Sequence, residues 1–98
     1  MGLETIRQDI NAVDRQLIAL LEKRMALVDQ VAAYKQVHDV PVLDQEREAE
    51  VLRSVSQQIR HKAFEPAILE LFKAIMAASR RYQAEQIAVG SNDDDEAY

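Results

Sequence analysis

Apolar residues recur in alternating steps of three and four along the first third of the chain: Leu3, Ile6, Ile10, Val13, Leu17, Leu20, then Leu27, Val31 and Tyr34. The spacing predicts one helix from about Leu3 to about His38, carrying an apolar seam of nearly five heptads. One position of that seam, Arg24 in "LLEKRMALV", is a permanent cation. At 1.5 Å per residue the helix would span roughly 50 Å, more than two shorter helices can cover. A seam of that length calls for another long helix beside it.

Both glycines, Gly2 and Gly90, fall outside the periodic segments, and Pro41 and Pro66 fall between them. This punctuation predicts three helices. The second should begin near Asp44, whose carboxylate can cap free backbone amides, and continue to about Lys62 through Val51, Leu52, Val55 and Ile59. The third is introduced by "FEPAIL", with Pro66 in its first turn, where a missing amide hydrogen does no harm. Ile68, Phe72, Ile75, Met76 and Tyr82 form its apolar face. No strand pattern or internal repeat is visible, so the expected fold is all-α: one long N-terminal helix and two shorter ones. Residues 1 to 89 are expected to form the helical domain, and the acidic "GSNDDDEAY" of residues 90 to 98 a disordered tail.

Composition narrows the function. A chain of 98 residues is one small domain with a modest core, for which a partner chain would add burial. There is no cysteine, and His38 and His61 are the only histidines, so no disulfide or metal cofactor is indicated. A net charge of -5 argues against nucleic acid. Four of the seventeen acidic residues lie in the tail, however, and the remainder is nearly balanced. No apolar run approaches the roughly 20 residues of a membrane span. "MGLETIRQDI" is amphipathic and charged and does not read as a secretion signal, so a cytoplasmic location is expected.

The cations then acquire a geometry. Arg24 and Lys35 are eleven residues apart, about 16 Å along a helix, close enough for long side chains to converge on one small molecule. Arg7 is about 42 Å from Lys35 and cannot join them on the same chain. An antiparallel second copy, crossing the first near residue 18, would bring the partner's Arg7 between Arg24 and Lys35, giving two equivalent sites. The plainer reading is a coiled-coil interaction module in which Arg24 is a tolerated defect and Arg7 an ordinary surface residue.

Further polar residues fall in suggestive places. "DQERE" sets Arg47 and Glu48 in the first turn of the second helix, and Phe72, Met76, Ser79 and Gln83 put two neutral polar groups on one stripe of the third. Buried cations need anions and buried amides need partners. A polar pocket for a small dianion unites these features, with Glu48, Ser79 and Gln83 reading its hydroxyl and ether groups. Neither a nucleophile set nor a glycine-rich phosphate loop is present.

The stretches "IRQDINAVDRQLIALLEKR", Lys35, "PVLDQERE" and "LFKAIMAASRRYQ" resemble, in order and spacing, the all-helical chorismate mutases of the AroQ class. The resemblance covers about residues 5 to 87. It implies an intertwined antiparallel homodimer with shared active sites, no cofactor, and conversion of chorismate to prephenate. Position by position it implies that Arg7 comes from the opposite protomer and that Arg24 binds a substrate carboxylate. It likewise implies that Lys35 contacts a carboxylate and the breaking ether oxygen, which Gln83 shares. Arg47 would be another pocket cation, Glu48 with the backbone near Asp44 would receive the ring hydroxyl, and Ser79 would lie close to a carboxylate. An isochorismate-pyruvate lyase is the nearest alternative enzyme, disfavoured by Glu48. A non-catalytic helical dimer or regulatory domain is the alternative of another class. Mutase domains of this kind also occur fused to, or associated with, other enzymes of aromatic amino-acid biosynthesis, so such a partner is a further expectation.

Overall fold

A computed structural model describes the backbone of residues 2–96 and the side chains of residues 2–88. The first helix, α1, spans Leu3–His38 as its periodicity predicts. It ends where Asp39 turns left-handed, with φ 56° and ψ 43°. Aspartate tolerates that conformation better than most side chains, and it lets the amides of Asp39 and Val40 both donate to the Lys35 carbonyl. The second helix, α2, spans Gln45–Gln58, capped by Asp44, whose Oδ1 accepts from the Arg47 amide at 2.9 Å.

Two helix ends differ from expectation. α2 stops four residues before Lys62, where Ile59 becomes extended. Side chains hold that end: Gln58 Nε2 donates to the Ser54 carbonyl at 3.2 Å and Lys62 Nζ to the Ser56 carbonyl at 2.9 Å. A 3-10 turn, Lys62–Phe64, then leads into the third helix, α3, which spans Glu65–Glu96 with Pro66 in its first turn. At 32 residues α3 is nearly as long as α1, so only α2 is short. Gly90 does not end it, since one glycine costs a helix only about 1 kcal/mol relative to alanine. The expected boundary after residue 89 is therefore crossed by helical backbone. Disorder is expected of residues 90 to 98; their backbone is helical as far as Glu96, while their side chains and all of residues 97 and 98 lie outside the described residues.

α3 is the common partner of α1 and α2. Val28, Ala32, Val55 and Met76 are buried with Ser79 and Gln83, and two hydrogen bonds tie α1 to α3. Arg24 Nη1 donates to Ser79 Oγ at 2.8 Å, and the Tyr82 hydroxyl donates to Asp29 Oδ1 at 2.6 Å. The latter bond pushes the Tyr82 hydroxyl above its ordinary value.

This packing covers only one stripe of the C-terminal half of α1, through Val28 and Ala32. Leu3, Ile6, Ile10, Val13, Leu17 and Leu20 remain 48–63% exposed. The radius of gyration is 17.6 Å, against about 13 Å for a compact domain of this size. Beyond Arg24 the seam stays open, with Leu27, Val31 and Tyr34 43–59% exposed, while α3 covers the neighbouring face through Val28 and Ala32. Among the described residues there is no strand, and no helix is long and apolar enough to cross a membrane.

Candidate active site

A cavity of about 280 Å³ lies where α1, the loop before α2, the first turn of α2 and the middle of α3 meet. Its volume is close to the roughly 300 Å³ at the lower end of small-molecule sites. Seven of the residues singled out in the sequence line it: Arg24 and Lys35 from α1, Asp44, Arg47 and Glu48 at the start of α2, and Ser79 and Gln83 from α3. Val28, Val31, Val51 and Met76 supply apolar wall between them.

The polar groups on α1 are held from the side. Ser79 Oγ accepts from Arg24 and donates to the Ile75 carbonyl at 2.8 Å, which fixes the guanidinium against α3. Lys35 Nζ donates to the Val42 carbonyl at 2.6 Å, so the loop orients the ammonium. Neither cation pairs with a carboxylate among the described residues. On α3, Gln83 is only 6% exposed, and its Oε1 is buried without a partner. A buried acceptor left unpaired costs about 1–3 kcal/mol, which a bound donor would recover.

The second helix contributes differently. Arg47 lines the cavity, but its guanidinium turns outward to Glu50 at 2.7 Å. Asp44 spends its carboxylate on the helix cap. Glu48 Oε1 accepts from Arg80 Nη1, joining α2 to α3 across the cavity. Arg80 is a lining residue that sequence reasoning missed. A signal for it was present, since it lies one turn after Met76 and three residues before Gln83, alongside the stripe that those two share with Ser79.

Arg7 is not among the lining residues and is exposed on the uncovered half of α1. It lies seventeen residues before Arg24, about 25 Å along the helix.

Counting full charges, the cavity carries Arg24, Lys35, Arg47 and Arg80 against Asp44 and Glu48, an excess of two positive charges. The chain as a whole is at -5, so the site reverses the sign of its surroundings. Such a site can neutralise a small dianion. Its fixed donors can hold a flexible molecule in one shape and stabilise negative charge developing on an oxygen.

Comparison with known proteins agrees with this chemistry. The chain is 40% identical over 53 residues to the T-protein of Haemophilus influenzae, covering 54% of this chain and 14% of that protein. It is 34% identical over 68 residues to the T-protein of Enterobacter agglomerans, covering 69% of this chain and 18% of that protein. With the 4-amino-4-deoxychorismate mutase of Streptomyces pristinaespiralis it shares 27% identity over 89 residues, covering 90% of this chain and 69% of that protein. The chain thus spans less than a fifth of either T-protein. No solved structure gives a significant match. The family described as chorismate mutase type II matches residues 6–84, and the chain belongs to that family.

Proposed function

We propose that this chain catalyses the rearrangement of chorismate to prephenate, in which the enolpyruvyl side chain breaks its C–O bond while a C–C bond forms. The observation that carries this reading is the cavity's combination of two cations free of carboxylate partners, Arg24 and Lys35, with the buried Gln83 side chain, whose Oε1 has no partner among the described residues. Arg24 and Lys35 bind the two substrate carboxylates. Lys35 and the Gln83 amide nitrogen donate to the ether oxygen as negative charge builds on it. Glu48, with the backbone near Asp44, accepts from the ring hydroxyl, Ser79 holds Arg24 in place, and Arg47 adds a cation at the mouth. No proton transfer is needed, because holding the substrate in its folded, near-attack shape lowers the barrier.

The working unit in this reading is an antiparallel homodimer. It is supported by the open seam from Leu3 to Tyr34 and the extended shape of the single chain. The partner's Arg7 then completes each cavity, and a cytoplasmic setting fits a soluble dianionic substrate. The relative from Streptomyces pristinaespiralis is named for 4-amino-4-deoxychorismate, which carries an amine where chorismate carries the ring hydroxyl, and this makes it the competing substrate to test.

Incubating the purified chain with chorismate and identifying the product tests the reading. Prephenate is expected. Salicylate plus pyruvate would make the chain a lyase, and unconsumed chorismate would overturn the mutase assignment.

A further inference from the structure

The Glu48–Arg80 pair stands where chorismate and 4-amino-4-deoxychorismate differ, a placement that rests on the mutase reading. Glu48 sits in the first turn of α2 and Arg80 near the middle of α3, with side chains 24% and 34% exposed. Both line the cavity. Oε1 of Glu48 is the oxygen that Arg80 engages, which leaves Oε2 for a further donor.

We propose that Arg80 is a positioning and specificity-determining residue: it turns Glu48 across the cavity and offsets its charge, so that the site accepts a neutral ring hydroxyl and disfavours a cationic ring amine. A hydroxyl needs only one acceptor, and Glu48 Oε2 supplies it whether or not the carboxylate is neutralised by a neighbour. An alkyl amine at the same ring position is protonated near neutral pH. Beside an unpaired carboxylate, that ammonium would gain an ion pair in return for its lost hydration. Beside a carboxylate already paired with a guanidinium, it meets attraction and repulsion together and still loses its water. The pair therefore selects chorismate over 4-amino-4-deoxychorismate by withholding compensation from the amine, a form of discrimination against the unwanted ligand.

The test compares kcat/KM for the two substrates in the wild type and in Arg80→Met, Arg80→Gln and Arg80→Lys, with circular dichroism to identify folded variants. The ratio favouring chorismate is expected to fall about tenfold in either neutral variant, the scale of one charge contact screened at a partly exposed site. Arg80→Lys keeps the charge and should stay within about threefold of the wild-type ratio. In a Glu48→Gln background, Arg80→Met should leave the ratio unmoved, because the carboxylate through which Arg80 acts is gone. A folded neutral variant with the wild-type ratio overturns the proposal, even when both rates fall together, since that pattern belongs to a structural brace. A lysine variant that shifts as far as the methionine variant also overturns it. A wild type that turns over neither substrate overturns the mutase reading and this inference with it. A wild type active on chorismate whose ratio ignores Arg80 overturns this inference alone.

Discussion

At the scale of single residues, two of the four cavity cations have only neutral partners within the chain. Arg24 is held by a hydroxyl and Lys35 by a carbonyl, which orients both without consuming their charge. Arg24→Ala is accordingly expected to cost little stability, about 1 kcal/mol for the lost hydrogen bond in a urea titration. The same variant should lose a hundredfold or more in kcat/KM, since deleting a preorganised charge-stabilising donor costs ~10²–10³ in rate. Near-wild-type turnover would return Arg24 to a packing role. Gln83 makes a second claim. Its amide donates at any ordinary pH, so the wild-type rate should vary little between about pH 6 and 8. In Gln83→Glu the donor exists only while the carboxyl is protonated, so activity should survive in acid and fall as the pH rises. A flat pH profile for that variant would remove position 83 from the ether oxygen.

Most of these residues were legible in the sequence because each broke a pattern. Arg24 interrupts an apolar seam, Ser79 and Gln83 interrupt an apolar stripe, and Lys35 stands at a helical spacing from Arg24. Arg80 interrupts no apolar position, since it lies beside the stripe of Met76, Ser79 and Gln83 in "SRRYQ", and its spacing was a weaker signal. Only the approach of α2 to α3 gives it Glu48 as a partner. The outward turn of Arg47 has a local cause instead, since Glu50, three residues on in the same helix, competes with the cavity for the guanidinium.

At the scale of elements, the start of each helix was readable and some of the ends were not. Leu3, Asp44 and Pro66 carry local signals, a periodic apolar residue, a capping carboxylate and a helix-compatible proline. The end of α2 depends on contacts made after it, with Lys62 reaching back to Ser56 and Glu65 accepting from both Ser56 and Lys62. No glycine or proline marks that stop. The joint also has a pH dependence with a defined sign. Hydrogen bonds from Lys62 and Ser56 lower the Glu65 carboxyl below its ordinary 4.5. A carboxyl lowered in the folded state stabilises above its unfolded value and loses that contribution as the pH falls through the folded one. The α2–α3 joint should therefore be intact at neutral pH and weaken in acid below about pH 4.5. Urea midpoints for the wild type and Glu65→Gln should differ at pH 7, and the difference should shrink as the pH falls below 4.5. Midpoints that differ equally above and below that value would mean that the Glu65 charge is not what holds the joint.

At the scale of the whole molecule, the exposed face of α1 is the largest departure from what a stable domain of this size allows. Nine large apolar side chains in register along one helix face, from Leu3 to Tyr34, are an interface in waiting, and their period was plain in the sequence. The sequence could not say that its own chain would cover the Val28 and Ala32 stripe and leave the seam open, because that depends on where α3 lies. If the open face is a dimer seam, sedimentation equilibrium should return twice the 11.2 kDa chain mass, and Leu17→Asp should shift the population toward monomer with loss of turnover. An active monomer would remove the partner from the site. The most direct measurement mixes two inactive variants, Arg7→Ala and Arg24→Ala, after unfolding and refolding them together, and follows conversion of chorismate to prephenate. Random pairing makes half the dimers mixed, and each mixed dimer holds one intact site of two, so about a quarter of the wild-type activity should return. A mixture no more active than its parents would contradict a cavity shared between Arg24 of one chain and Arg7 of the other.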